Sequence, residues 1–222
     1  MNNQKLSKKL NKILNLQPSP ELSYVVGAFI GDGWKAKIKN RKSGNDYRIS
    51  LASIDKEFVE KFANCMFRVV KRKRKIYCRK RARKKDLFEV TFSSKELFFF
   101  LSKNIEKPEI KEVIFQYPKE FLQGIFDAEG SVTMIRGKSP RITLSNTDLK
   151  LLQICQDLLN KLGISSRIEK ENKKGKISWR IVISRKKDIV EFQKKIGFSI
   201  IRKMKKLNLI AGRGFEPRTS GL

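Results

Sequence analysis

Two short apolar stretches each end in a carboxylate followed by glycine, and these are the residues best placed to do chemistry. The first reads Val25-Val26-Gly27-Ala28-Phe29-Ile30-Gly31-Asp32-Gly33 and the second Leu122-Gln123-Gly124-Ile125-Phe126-Asp127-Ala128-Glu129-Gly130. A carboxylate at a helix C-terminus faces the negative end of the dipole, at a cost of a few tenths to about 1 kcal/mol. Two of them at equivalent places beside one seam bring like charges together, an arrangement that a divalent cation would offset. Mg²⁺ is held in this way by one or two carboxylates, with phosphate oxygens and waters completing its shell. Small residues at matching places, Gly27 with Gly124 and Gly31 with Ala128, let two helix backbones approach closely. Gly33 and Gly130 suit the left-handed turn that often ends a helix.

The rest of the composition narrows the chemistry. There is no His, which excludes His bases, His–Cys nucleophile pairs and His-containing zinc sites. Metal-bound solvent is then the expected base. Cys65, Cys78 and Cys155 are odd in number and far apart, so reduced thiols in an intracellular, cytoplasmic protein are expected rather than a disulfide scaffold. No apolar run approaches the roughly 20 residues that span a bilayer.

The elements that must position the two acids repeat. Tyr47-Arg-Ile-Ser-Leu-Ala-Ser-Ile-Asp55 matches Pro140-Arg-Ile-Thr-Leu-Ser-Asn-Thr-Asp148, each a strand leading to an Asp at a helix N-cap. Helices are expected over Lys56–Val70 and Leu149–Leu162. Strand pairs follow near Lys75–Arg81 with Asp86–Phe92, and near Ser166–Lys170 with Lys176–Ser184. A closing helix is expected in each half, at Lys95–Asn104 and Lys186–Lys195. With the apolar helices Leu22–Ile30 and Phe121–Ala128 in front, each half reads αββαββα. The expected fold is α+β, two pseudo-symmetric halves of antiparallel strands with helices on one face. The halves divide as 1–117 and 118–210, with a linker at Glu106–Pro118 punctuated by Pro108 and Pro118, and a disordered tail over 211–222.

Lys and Arg number 51 against 22 Asp and Glu, a net charge of +29, which calls for a polyanionic partner. Period-two alternation assigns Lys35, Lys37 and Lys39, with Arg48 and Ser50, to one polar face in the first half. It assigns Arg141, Thr143 and Ser145, with Lys176, Ser178 and Arg180, to the matching face in the second. Ile49, Leu51, Ile142, Leu144, Ile177, Trp179, Ile181 and Ile183 would then pack against the helices. A face so rich in Arg, Lys, Ser and Thr suits phosphates and major-groove base edges. Arg41, Arg79, Arg81, Arg136, Lys138 and Arg167 extend the expected double-stranded DNA contact.

The two signature segments resemble the paired motif helices of the LAGLIDADG homing endonucleases, in the single-chain, intron-encoded form that carries both copies. The resemblance covers roughly residues 22 to 207. The first copy departs at most apolar letters but keeps Gly27, the small Gly31, Asp32 and Gly33. The second keeps Gly124, Asp127, Ala128, Glu129 and Gly130. The resemblance implies a saddle of two sheets straddling a long DNA site, with the motif helices between the halves and the chain acting as a monomer. It implies that Asp32 and Glu129 bind divalent metal at the scissile phosphates, aided by the carbonyls of Gly31 and Ala128. Mg²⁺ is the expected ion, with Mn²⁺ substituting and Ca²⁺ binding without cleavage, and the product a double-strand break with short 3′ overhangs. Basic residues near the metals are also implied, with Lys111 and the Arg202-Lys203 pair as candidates. Asp127 is expected to stabilise its helix rather than to act in catalysis. An intron maturase or a non-catalytic DNA-binding regulator on the same fold remain alternatives.

The two ends differ from the rest. Residues 1–16 read as a loose basic helix. The segment Arg213–Arg218 can be encoded by a self-complementary string of the form found in a transfer-RNA T-arm. The reading frame would then run from an intron into a tRNA exon, a hypothesis that flanking gene sequence without such an overlap rules out.

Overall fold

The computed structural model describes residues 16–40, 44–135, 139–173 and 176–212. Among the described residues the elements run α1 (Pro20–Asp32), β1 (Gly33–Asn40), β2 (Gly44–Ser53), α2 (Lys56–Val70), β3 (Tyr77–Arg79), β4 (Leu87–Ser93), α3 (Lys95–Phe100) and α4 (Pro108–Gln116). The second half repeats them as α5 (Pro118–Glu129), β5 (Gly130–Ile135), β6 (Ser139–Asn146), α6 (Leu149–Lys161), β7 (Arg167–Lys173), β8 (Lys176–Ile183), α7 (Lys186–Lys195) and α8 (Ile201–Gly212). The sheets are antiparallel, in the orders β1-β2-β4-β3 and β5-β6-β8-β7. This is the α+β architecture of two similar halves expected from the repeat.

Both halves carry a helix that the expected αββαββα order lacks. The linker Glu106–Pro118 contains α4, and residues after Phe198 form α8. Pro108 and Pro118 do not break the chain; each stands at the first position of a helix, where its missing N–H is no loss. Ile110, Val113 and Ile114 give α4 its buried face.

The core is one continuous cluster, with α1 and α5 packed along each other at its centre. Here glycine decides the geometry. A Cβ on Gly27 would lie 2.2 Å from the Phe121 carbonyl oxygen, and one on Gly124 would lie 2.4 Å from the Tyr24 carbonyl oxygen. Each glycine thus receives the backbone of the opposite helix. Gly33 and Gly130 correct an expectation. They sit at φ −78° and −76°, ψ 150°, extended rather than left-handed. Glycine is needed there for space, since a Cβ would meet a Phe29 ring carbon and the Phe126 carbonyl oxygen at 2.3 Å. Each motif helix therefore runs into its sheet with no intervening loop.

Strand register corrects the faces of the first sheet. Lys35 pairs with Ile49, Lys37 with Tyr47 and Lys39 with Asn45, while Gly33 pairs with Leu51. Directly paired residues share a face, so these lysines lie on the helix-bearing side with Ile49 and Leu51, not beside Arg48 and Ser50. As members of an edge strand they reach past the helices. Lys35 Nζ donates to Ser102 Oγ and stands 5.4 Å from the Phe98 ring centre, and Lys37 Nζ stands 5.8 Å from that of Tyr47. The helix-free face of β1 carries Trp34, Ala36 and Ile38, with Trp34 44% and Ile38 39% exposed. Ser50 is on that face but 0% exposed, lying between Trp34 and Thr91 in register and hydrogen-bonded to Thr91 Oγ1 at 2.8 Å. It is not free to contact a partner.

The second sheet keeps the expected division except at Ile177, which was expected against the helices but is 51% exposed near the end of β8. Arg141, Thr143 and Ser145 share the helix-free face with Ser178 and Arg180, while Ile142, Leu144, Ile181 and Ile183 are buried.

Candidate nuclease site

The site lies where both motif helices end. Asp32 is the last residue of α1 and Glu129 the last of α5. Tight packing at Gly31 makes them neighbours, since a Cβ there would stand 2.3 Å from Ala128 Cβ and 3.3 Å from Glu129 Cγ. Both side chains open to solvent, yet the helix ends behind them strip hydration from their inner sides. Burial raises the Asp32 carboxyl, the negative charge of Asp55 adds to this, and Lys203 opposes it. Burial likewise raises Glu129, followed by repulsion from Asp32, with Lys203 again opposing.

Lys203 is the cation of this site. Only 5% exposed, it reaches from α8 to the carboxyl end of α5. Its Nζ donates to the carbonyls of Asp127 at 2.6 Å and Phe126 at 3.1 Å, with Ala128 O at 3.5 Å. The ammonium thereby meets the carbonyls a helix end leaves unpaired and the negative end of its dipole. Burial pushes its pKa down to about 8, against the pull of Asp127, Asp55 and Asp32. Lys111, the other candidate cation, is exposed on α4, and it is Lys203 whose charge acts on both carboxylates. Arg202 turns away to a bidentate pair with Asp55, at 2.6 and 2.7 Å. That contact ties α8 to the first half and leaves Asp55 without the capping bond that Asp148 makes to Lys150 N and Leu151 N.

Asp127 holds this arrangement from behind. It is 1% exposed, and accepts from Tyr24 Oη at 2.8 Å, Ser199 N at 2.8 Å and Ser199 Oγ at 2.6 Å. Tyr24 comes from α1 and Ser199 leads into α8, so one carboxylate joins the seam to the helix that delivers Lys203. Burial raises the Asp127 carboxyl, opposed by these hydrogen bonds. Asp127→Ala would leave three donors without their acceptor, and we expect a loss of about 1–3 kcal/mol of stability, read in urea unfolding. An unchanged midpoint would remove Asp127 from this role. Tyr24 and Ser199 had no sequence signal of their own beyond a Ser shortly before an apolar-periodic helix.

The donors available to a cation are all oxygen: the Asp32 and Glu129 carboxylates, with the carbonyls of Gly31 and Ala128 beside them. Among the described residues no group of three or more His, Cys, Asp or Glu side chains stands ready to enclose a metal. Such a donor set fits a hard cation that shares its shell with phosphate and water, and does not fit zinc.

The remaining expected contact residues are placed as follows. Arg48 is exposed and paired with Asp46 at 2.7 Å, and Arg79 is exposed with Glu89 at 3.4 Å. Arg81 spends Nε and Nη2 on the Lys85 carbonyl. Arg167 pairs with Glu169, and Arg180 pairs with Glu171 while donating to Ser145 Oγ. Arg141 buries an Nε that has no hydrogen-bond partner among the described residues. Lys176 opens β8. Arg41, Arg136, Lys138, residues 1–15 and the segment from 213 onward lie outside the described residues.

The LAGLIDADG-like domain family matches twice along the chain, at residues 19–105 and 116–197. The chain belongs to this LAGLIDADG family. Its relatives include an uncharacterised Methanocaldococcus jannaschii protein, MJ0398, 37% identical over 88% of this chain and 73% of the relative. The homing endonuclease I-DmoI of Desulfurococcus mucosus is 24% identical over 66% of this chain and 72% of its own. Among solved LAGLIDADG-like structures, I-DmoI in complex with DNA and Ca superposes with a TM-score of 0.61 at 22% identity, covering 86% of this chain and 97% of that one. The homing endonuclease I-WcaI bound to its DNA recognition sequence gives 0.60 at 20% identity, over 92% and 94%. At these identities the structures establish a shared fold. No helix among the described residues is long and apolar enough to cross a membrane.

Proposed function

We propose that the chain is a site-specific DNA endonuclease that hydrolyses phosphodiester bonds in both strands of a long duplex target, using divalent metal held by Asp32 and Glu129. The observation that carries this reading is the meeting of the two carboxylates at the ends of the paired helices, at the root of both sheets. Family membership, and a relative and structural neighbours that are homing endonucleases, two of them solved with DNA, support it. I-DmoI has also been solved with DNA and Mn.

Gly31 and Ala128 would add carbonyl oxygens to the two carboxylates. When bound, the metal would supply Lewis acidity at the phosphate and a more acidic water. The chain's own contribution is positional and electrostatic. The glycine seam sets the spacing of the carboxylates, and Lys203 offsets part of the charge that collects as a phosphate approaches them. The helix-free faces would hold the duplex, through Arg141, Thr143, Ser178 and Arg180 in the second half. In the first half Arg48 and Arg79 would be joined by Trp34 and Ile38, apolar groups suited to thymine methyls. Division at 117/118 gives one half-site to each repeat, in a single chain acting as a monomer and cutting to leave short 3′ overhangs. Mg²⁺ is the proposed physiological ion.

The test is to recover duplexes from a random-sequence pool by binding in Ca²⁺, then transfer them to Mg²⁺ or Mn²⁺. We expect selective recovery in Ca²⁺ without cutting, and scission of both strands in the other two ions. Selective binding with no cleavage in either would make the protein a DNA-binding regulator. Tighter binding to structured RNA than to any recovered duplex would make it a splicing factor.

A further inference from the structure

The largest concentration of charge lies away from the carboxylates. Between α2 and β4, residues 71–86 hold eleven Lys or Arg and one acid, Asp86. The matching segment between α6 and β8, residues 162–175, holds four Lys or Arg and two Glu. One half therefore carries about ten net positive charges where the other carries two. The cations of the first segment are exposed except Arg81, which is half-buried. Arg79 pairs with Glu89; the other cations have no acidic partner within ion-pair distance among the described residues. In the second half the pairs Arg167–Glu169 and Arg180–Glu171 neutralise the equivalent strands.

This segment is a built ribbon. β3 pairs with β4 through Tyr77–Glu89 and Arg79–Leu87. The turn beyond it is braced by Arg81, whose guanidinium donates to the Lys85 carbonyl at 3.0 and 2.8 Å, and Arg83 takes a left-handed φ of 57°. Tyr77 and Arg79 fall on the helix-free face, Tyr77 in register with Glu89 and hence with Ala52, two residues along from Ser50, and Arg79 in register with Leu87. Near the ribbon's start, Arg74 acts on Asp46 of that same face, a carboxyl held low chiefly by its hydrogen bond from Arg48. β1 leaves the helix seam directly, and β3 is the opposite edge of its sheet. The ribbon therefore stands on the sheet edge opposite the strand that leaves the seam.

We propose that residues 71–86 form a clamp for duplex DNA phosphates that extends contact outward from the first half-site and has no counterpart in the second. It rests on the DNA reading above and adds polarity to it. Lysine and arginine contacts to phosphate carry no sequence information, so the clamp adds affinity and footprint length on one side without adding base preference there. Uneven charge of this size on a symmetric scaffold has no role in holding the fold, because like charges repel within it.

The test uses the full chain with Arg72, Arg74, Lys75, Lys80, Arg83 and Lys84 changed to Gln, which spares the bracing Arg81 and the paired Arg79. Binding to duplexes recovered from the random pool is measured in Ca²⁺ across a KCl series. The slope of log affinity against log salt should shrink by about 3 to 5, at about 0.9 for each phosphate that is no longer neutralised. Base preferences should not change. Trimming the duplex outside the first half-site should weaken the parent but not the variant, and trimming outside the second should weaken neither. A control with the three arginines changed to Lys and the three lysines to Arg should keep the parental slope. An unchanged slope, or equal sensitivity to trimming on both sides, overturns the clamp while leaving the endonuclease reading intact. If the variant instead loses single-stranded RNA binding and keeps its duplex slope, the ribbon serves RNA. Failure to recover any duplex counts against the DNA reading itself, and the clamp falls with it.

Discussion

Asp32→Asn and Glu129→Gln should each lower double-strand cleavage in Mg²⁺ by about a thousandfold or more. Each substitution keeps the shape of the side chain and removes the charge that would hold the cation. If metal at the phosphate supplies several kcal/mol of barrier reduction, and about 1.4 kcal/mol is a factor of ten, losing most of it gives this magnitude. Binding should behave in the opposite way. Both carboxylates would lie beside a polyanion, so without divalent metal each variant should bind a recovered duplex as tightly as the parent or more tightly. Measured together, cutting rates on a labelled duplex and affinities in EDTA separate a metal ligand from a structural acid. Cleavage within tenfold of the parent would remove that carboxylate from the metal site. An equal fall in cutting and in metal-free binding would assign it to the scaffold.

Gly124→Ala and Gly27→Ala should each destabilise the chain by about 2 kcal/mol, lowering Tm by about 4 to 8 °C for a chain of this size. Alanine would ordinarily favour a helix over glycine by nearly 1 kcal/mol. Here its methyl would lie 2.4 Å from the Tyr24 carbonyl oxygen or 2.2 Å from that of Phe121. Neither neighbour is a side chain that can rotate away, so the helices must separate, and overpacking of this kind costs about 3 kcal/mol. Calorimetry decides it, and an unchanged or raised Tm would mean that the seam has room to spare.

Much of this was legible in the sequence because the chain states its plan twice. The strand–Asp–helix repeat and the two acid–Gly helix ends are enough to order the elements and to pick out the pair of carboxylates. Alternation, by contrast, tells which residues of a strand share a face, not which way that face points. In β1 the apolar set Trp34, Ala36 and Ile38 looks outward, and only pairing with Ile49 and Leu51 reveals it. Ser50 read as a contact residue because burial under a cross-strand Trp has no local signature. Gly33 and Gly130 are legible as the ends of the motif helices, but crowding rather than φ is what requires glycine there. Lys203 is one of three cations that the family resemblance makes candidates, and only α8, by carrying it to the carbonyls of α5, separates it from Lys111 and Arg202. α4 is hidden in the sequence because two prolines that begin helices resemble two that end a segment.

With no loop between motif helix and sheet, a shift of one motif helix against the other would carry its sheet with it. An eight-residue strand such as β1 reaches about 26 Å at about 3.3 Å per residue. A tilt of about 5° at the pivot would swing its far end by about 2 Å, more than half the rise of about 3.4 Å between successive base pairs. A methyl group wedged at Gly27 or Gly124 would thus be magnified along the arm. On the proposed DNA reading, base discrimination in such a variant should blur first at the outer positions of the target and last beside the scissile bonds, and the fidelity of distant reading would then depend on the fit of two glycines.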